Sequence, residues 1–376
     1  VPDASIVYLD HAATTPARPE AVAAMLPYLS QSYGNPSGAH AMARAARDAI
    51  DDARVVLADA LGCRPGEIVF TSGGTEADNT AVFGRAGRGT VVCSAIEHHA
   101  VLEPVRHCAG RVVPVHPSGV IDLDALADAL DEGVSLVSVM LANNEIGTIQ
   151  PLDEVAEVVR ARAPRAVLHT DAVQAFPWLD VASLAAPADL VSISAHKFGG
   201  LKGNGVLVVR DGVDLEPRQI GGGQERERRS GTQNVAGIVA MAEAAQLTVA
   251  ERKQVVDAVT PRRDRLADGL LAVPGTVESG DRRIKVAGNC HVCFDGVESE
   301  ALLFLLEEAG IMASAASSCA SGAQDPSHVL AALGFPRSLA GGSLRLSLGP
   351  STTDADVDRA LDVLPGAVRR LRELGS

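Results

Sequence analysis

The chain has 376 residues, of which 47% are hydrophobic and 21% charged. That length supports two lobes with sizeable cores, and the composition is ordinary for a globular enzyme. Against 33 basic side chains stand 47 acidic ones, a formal net charge of −14, which argues against direct binding of nucleic acid or an anionic membrane surface.

No apolar run approaches the roughly 20 residues of a membrane span. The opening VPDASIVYLD lacks the basic and apolar regions of a secretory signal. Cysteines 63, 93, 108, 290, 293 and 319 are scattered, which reads as reduced thiols rather than a disulfide framework, so a cytoplasmic location is expected.

In chain order, short β-branched runs predict strands at 67–71, 90–94, 111–115, 135–141, 166–170, 190–194 and 205–210. Amphipathic stretches lie between several of them, with Asp122 and Asp153 placed as helix N-caps. Strands alternating with helices imply a largely parallel sheet covered on both faces, with ligands at the carboxyl ends of its strands. A long helix over 235–271 leads into a second α/β segment, with a strand at 291–294, a helix at 298–308, a strand at 343–348 and a final helix from Asp354. The expected division is a large domain over 15–254 and a small one made of 1–14 and 255–376.

Five clusters could carry chemistry. Lys197 follows a predicted strand, with Ser194 and His196 before it and FGGLKGNG from Phe198 on. A buried lysine loses its proton readily and becomes a nucleophile for Schiff-base chemistry, whereas a lone loop lysine is ordinary surface. Asp171, in HTDAVQ, could pair with a protonated pyridine nitrogen or simply cap a helix. TSGGTE places Gly74 and Thr75 where a strand meets a helix, a phosphate cradle or a structural turn. Glu97-His98-His99 offers an imidazole to stack or move protons. Metal binding is disfavoured there, since adjacent helix residues do not share a face. Cys319, in SSCASG, has small polar neighbours that suit an exposed reactive thiol. Cys290 and Cys293 have metal or redox spacing, but on a strand they point to opposite faces, and no second pair completes a site.

Taken together, YLDHAATTP, GNPS, TSGGTEADN, EHHAVLEP, NNEIGTIQP, HTDAVQA, SISAHKFGG, GGGQERERRSGT, SSCASG, DPSHVLAALG and SLRLSLG run in the order found in cysteine desulfurases. The resemblance is to the class V aminotransferase branch of the fold-type I pyridoxal-phosphate (PLP) enzymes, and it covers nearly the whole chain. It implies a large domain with a mostly parallel seven-stranded sheet and a smaller α/β C-terminal domain.

The same resemblance makes Lys197 the Schiff-base lysine and sets Asp171 on the pyridine nitrogen. Gln174 and Asn144 lie near the ring hydroxyl, and His98 stacks over the ring. Gly74, Thr75, Ser194 and His196 hold the phosphate. Thr232 would reach the phosphate of a neighbouring subunit's cofactor, which implies a homodimer. Arg345, helped by Asn35, would clamp the substrate carboxylate, and Cys319 would form the persulfide. The expected substrate is L-cysteine, and the expected sulfur acceptor is a scaffold or relay protein. The pattern C-x-S-G followed by PSHVL resembles the subgroup with a mobile cysteine loop. The family's Gly-Ser-Ala before that cysteine is here Ala316-Ser317-Ser318, which removes a glycine from the loop. Selenocysteine lyase and other class V C–S lyases share the fold and cofactor, and turnover of cysteine against selenocysteine separates them.

Overall fold

The computed structural model describes residues 6–315 and 327–375. Cys319 lies outside the described residues. The described residues form twelve strands, β1 to β12 in chain order. The first, β1 (Val7–Tyr8), belongs to an N-terminal arm. Seven form the main sheet: β2 (Ile68–Thr71), β3 (Thr90–Ser94), β4 (Arg111–Val113), β5 (Val134–Ser138), β6 (Val167–Asp171), β7 (Leu190–Ser194) and β8 (Gly205–Val209).

Their order across the sheet is β2-β8-β7-β6-β5-β3-β4. The contacts β7-β6-β5-β3-β4 are parallel, while β8 runs antiparallel to both β7 and β2. Both faces of the sheet are covered: the central strands β5 to β8 and the edge strand β2 are buried throughout, which is why their sequences do not alternate between apolar and charged residues.

Strand β4 ends at Val113, two residues short of the predicted run, because Pro114 has no N–H to give the ladder. Strand β5 ends at Ser138, although Val139 and Leu141 still donate to His169 and Asp171 carbonyls. Asp122 caps its helix through Ala125 N–H, as expected. Asp153 does not cap. The helix Leu152–Arg162 opens two residues earlier than that cap would set, after Pro151, so Asp153 sits in the first turn, where its charge suits the helix dipole.

The predicted long helix is Val235–Leu271. Its first half, around Ile238 to Ala245, packs into the core of the main sheet; its second half, Val259 to Leu270, belongs to another core. That second core is built on β9 (Thr276–Glu278), β10 (Asn289–Phe294), β11 (Ile311–Met312), β12 (Ser343–Ser347) and the helices Ser299–Glu308 and Asp354–Gly375. Strands β12-β10-β9 form an antiparallel sheet. The arm strand β1 pairs in parallel with β11, which brings the start of the chain to its C-terminal part.

Cys290 and Cys293 occupy different cores, as alternation on a strand requires. Burial pushes their thiols up to about 12 and about 11. Among the described residues no cluster could hold a metal ion, and no helix is long and apolar enough to cross a membrane.

Candidate active site

The parallel strands β5, β6 and β7 end on one edge of the sheet, and their carboxyl ends open into a cavity of about 960 Å³. Lys197, Asp171, Gln174, Asn144, Ser194, His196, Gly74, Thr75, His98 and Arg345 all line it. A second cavity of about 1030 Å³ lies behind the arm and shares only Ala12, Gln174 and Lys197 with the first. The predicted acid, imidazole and guanidinium all belong to the first cavity, which is therefore where the chemistry is placed.

One end of the cavity is built for an anion. The helix Gly74–Ala86 starts there, after Gly73, whose φ of 149° is closed to residues with a Cβ. A Cβ on Gly74 would come within 2.9 Å of Val173 Cγ2, so the glycine lets helix and loop approach. Free N–H groups and the helix dipole favour a phosphate at such a terminus. Ser194 and His196 come from the end of β7 and the turn after it. Burial and the charge of Lys197 push the His196 imidazole down to about 4, so it is neutral at physiological pH.

The centre of the cavity holds the acid, the lysine and the imidazole. Asp171, the last residue of β6, is buried, and its carboxylate accepts the Val173 N–H at 2.8 Å. Burial pushes it up to about 6, against the pull of that hydrogen bond and of the Lys197 charge. Lys197 Nζ donates to the carbonyls of Ala12 (2.6 Å) and Ala13 (2.8 Å). Gln174 Nε2 donates to the same Ala12 oxygen at 2.7 Å. His98 caps the helix His99–His107 by accepting Ala100 N–H at Nδ1, 3.1 Å. Burial, then the charges of Lys197, His99 and His328, push it down to about 4. With Nδ1 engaged as acceptor, the ring proton sits on Nε2.

At the other end, Arg345 on β12 crosses from the second core. It donates through Nη2 to Asp10 Oδ1 (2.9 Å) and through Nη1 to Asn144 O (3.0 Å), while its Nε is buried without a partner among the described residues. Two predicted residues stand elsewhere. Asn35 is exposed and accepts Ser37 N–H in its own turn, and Thr232 is exposed in the loop before the long helix. Neither lines the cavity.

Sequence reasoning missed four participants. Asp10 faces Arg345 from the arm. Asp78, on the helix Gly74–Ala86, lines the cavity and is buried. Glu225 accepts both Arg54 Nη atoms at 3.0 Å and Phe70 N–H at 3.1 Å, which anchors the loop that carries Thr232. The signal for Asp78 was weak: an acid four residues past a phosphate-turn glycine, on a helix face that must pack on the sheet. Arg54 and Glu225 lie too far apart in sequence to be paired by inspection.

These elements define a fold-type I PLP enzyme: a phosphate cradle at a helix start, an acid at a strand end and a lysine after the next strand. The chain belongs to the class V aminotransferase family, whose model matches residues 7–360. It is 44% identical over 378 residues to the cysteine desulfurase IscS of Methanosarcina thermophila, covering 98% of this chain and 93% of that protein. A solved NifS-like protein superposes with a TM-score of 0.88 at 35% identity, covering 98% and 99% of the two chains. A second solved structure, SspA in complex with cysteine, gives 0.78 at 31% identity, covering 92% and 99%.

The residues present fit PLP. A glycine-relieved helix start suits its phosphate, a buried carboxyl suits its ring nitrogen, and a lysine amine within the same cavity suits its aldehyde.

Proposed function

We infer that the protein is a PLP-dependent cysteine desulfurase: it converts L-cysteine to L-alanine, takes the sulfur onto Cys319 as a persulfide and passes it to an acceptor protein. The observation that carries this reading is the convergence of Lys197, Asp171, His98 and Arg345, from four separate segments, on one cavity.

In this reading Gly74, Thr75, Ser194 and His196 hold the phosphate, and Asp171 holds the ring nitrogen. Gln174 and Asn144 flank the ring hydroxyl, His98 covers the ring face, and Lys197 holds the aldehyde. When bound, PLP supplies an electron sink for the pair left on the substrate Cα. Lys197 Nζ, positioned by the Ala12 and Ala13 carbonyls, takes the Cα proton. Arg345 orients the substrate carboxylate through its planar fork. With Nδ1 held by the Ala100 N–H, His98 presents its Nε2 N–H to the substrate as a hydrogen-bond donor. The Cys319 thiolate attacks the substrate sulfur. The Cβ–S bond breaks, its electron pair stays with carbon, a proton there completes the methyl group, and Lys197 returns a proton to Cα to give alanine.

The reading includes a homodimer in which Thr232 reaches the partner's phosphate site. A stripe at helical spacing supports it: Val22, Leu26 and Leu29, continued by Tyr33, are 37–67% exposed. Such a stripe needs a cover, and a second copy supplies one. The reading keeps a large lobe over 15–254 and a small lobe formed by 1–14 and 255–376. The two cores and the β1–β11 pairing support that division. A reducing compartment, the cytoplasm, suits five free cysteines among the described residues.

Incubation of the purified protein with sulfur-labelled cysteine, followed by peptide mapping, tests the reading. The label is expected on Cys319, with one alanine formed per sulfur transferred. Alanine formation that continues unchanged in Cys319→Ser, with no label on the wild-type residue, would sink it.

A further inference from the structure

Asp171 is not the only carboxyl in the cofactor cavity. Asp78 lines the same space and is 1% exposed. Among the described residues its Oδ1 is buried without a hydrogen-bond partner; His169 Nε2 lies 3.6 Å away, beyond hydrogen-bond reach. His169 is pinned between Ser138 Oγ (2.8 Å at Nδ1) and Ser192 Oγ (3.0 Å at Nε2). Ser192 stands opposite Asp171 in the β6–β7 ladder, and its hydroxyl offsets part of the burial that raises Asp78. These side chains therefore form one buried group beside Asp171.

Two buried carboxylates that line one cavity cannot both be charged cheaply; one keeps a proton. The surroundings decide which. Asp171 accepts a backbone N–H and is drawn down by the charge of Lys197. Asp78 is relieved only by the Ser192 hydroxyl. Burial, then the negative charge of Asp171, holds Asp78 well above the usual carboxylate range, and Glu97 adds to the push. Glu97 is itself buried and raised, with one oxygen on Met140 N–H. His169, pushed down to about 3 by burial, supplies no counter-charge.

We propose that Asp78 is a positioning residue that stays a neutral acid, leaving Asp171 as the single charged carboxylate available to the ring nitrogen. The proposal rests on the cofactor reading given above. If Asp78 were ionised, its charge would press Asp171 to take up a proton, and the ring nitrogen would lose its anionic partner.

The test is infrared spectroscopy of the PLP-loaded protein at pH 8, with aspartate carboxyls carbon-13 labelled. The wild type should show a protonated-carboxyl stretch that shifts with the label and with deuterium exchange. Glu97 cannot contribute to the label-shifted signal. Asp78→Asn, which mimics the neutral acid, should lose that signal. It should keep its PLP affinity within about threefold and leave the pH profile of the visible cofactor band in place. In the cofactor-free protein, Asp171→Asn should let the Asp78 signal titrate away at lower pH than in wild type, a coupling that a purely structural role would not produce. Should Asp78→Asn fail to fold, the labelled wild type and Asp171→Asn still decide. A wild type that binds PLP but lacks the signal, or an Asp78→Asn whose visible band titrates differently, overturns this inference alone. A wild type that takes up no PLP overturns the proposed function and this inference with it.

Discussion

The Arg345→Lys variant puts the substrate clamp to the sharpest test. Arg345 Nη2 is 2.9 Å from Asp10, Nη1 is 3.0 Å from Asn144 O, and Nε is buried without a partner among the described residues. A substrate carboxylate entering the cavity can therefore share a guanidinium already held in one plane and add a second parallel contact. Lysine keeps the charge and can stay on Asp10, but it offers a point donor in place of a fork. One charge-assisted hydrogen bond is worth about 1.5–3 kcal/mol, so kcat/KM should fall about 10- to 150-fold. The carboxylate stays bound throughout the reaction, so the loss should appear in KM, with kcat changed less than about threefold. Steady-state alanine formation over a range of cysteine concentrations measures both, and PLP titration checks that cofactor affinity is unchanged. A KM within about threefold of wild type, or a loss carried wholly by kcat, would refute the assignment.

Asp171→Asn should stabilise the cofactor-free protein at pH 8 by at most about 3 kcal/mol and leave it unchanged below pH 4. The folded carboxyl sits at about 6 against a reference of 3.8, so its penalty builds between those values and is constant above. Thermal midpoints at the two pH values check the sign, and the same variant should lose PLP affinity. Glu225→Gln leaves Arg54 buried without its counter-charge and should cost about 3–5 kcal/mol in urea unfolding. It should also raise proteolysis of the 221–232 loop, because Glu225, Arg226 and Glu227 hold φ values of 49°, 58° and 66° that non-glycine residues resist. Gly205→Ala would place a Cβ 2.6 Å from Gly73 Cα, so the phosphate turn must move. PLP affinity should drop by about tenfold or more, as read by titration of the visible band.

What could be read from the sequence follows from how local each signal is. The central strands and the helix Val235–Leu271 were legible because burial on both faces, or an uninterrupted helical pattern, is written in consecutive residues. The site residues at strand ends were legible for the same reason: a lysine, an acid and a glycine turn each follow an apolar run. The helix start before Asp153 was missed because Pro151 and Asp153 both punctuate helices, and only the backbone shows which one does. The Arg54–Glu225 pair and the Arg345–Asp10 pair span 171 and 335 positions, and no periodicity reports a contact between such distant residues. Asn35 and Thr232 were drawn from resemblance alone, and within one copy of the chain they stand away from the cavity.

The N-terminal arm explains how two cores can share one site. Its strand β1 is locked to β11, just before the segment that contains Cys319. The residues that follow then touch the cavity at four points. Asp10 holds Arg345, the Ala12 carbonyl accepts from both Lys197 and Gln174, Ala13 adds a second acceptor to Lys197, and Thr14 Oγ1 meets His196 Nδ1 at 3.2 Å. Most of these contacts use arm backbone, so no side-chain motif advertised them. The arm therefore joins Arg345 on β12 to the amine after β7 through Asp10 and the Ala12 and Ala13 carbonyls, a set of contacts additional to the long helix that spans both cores.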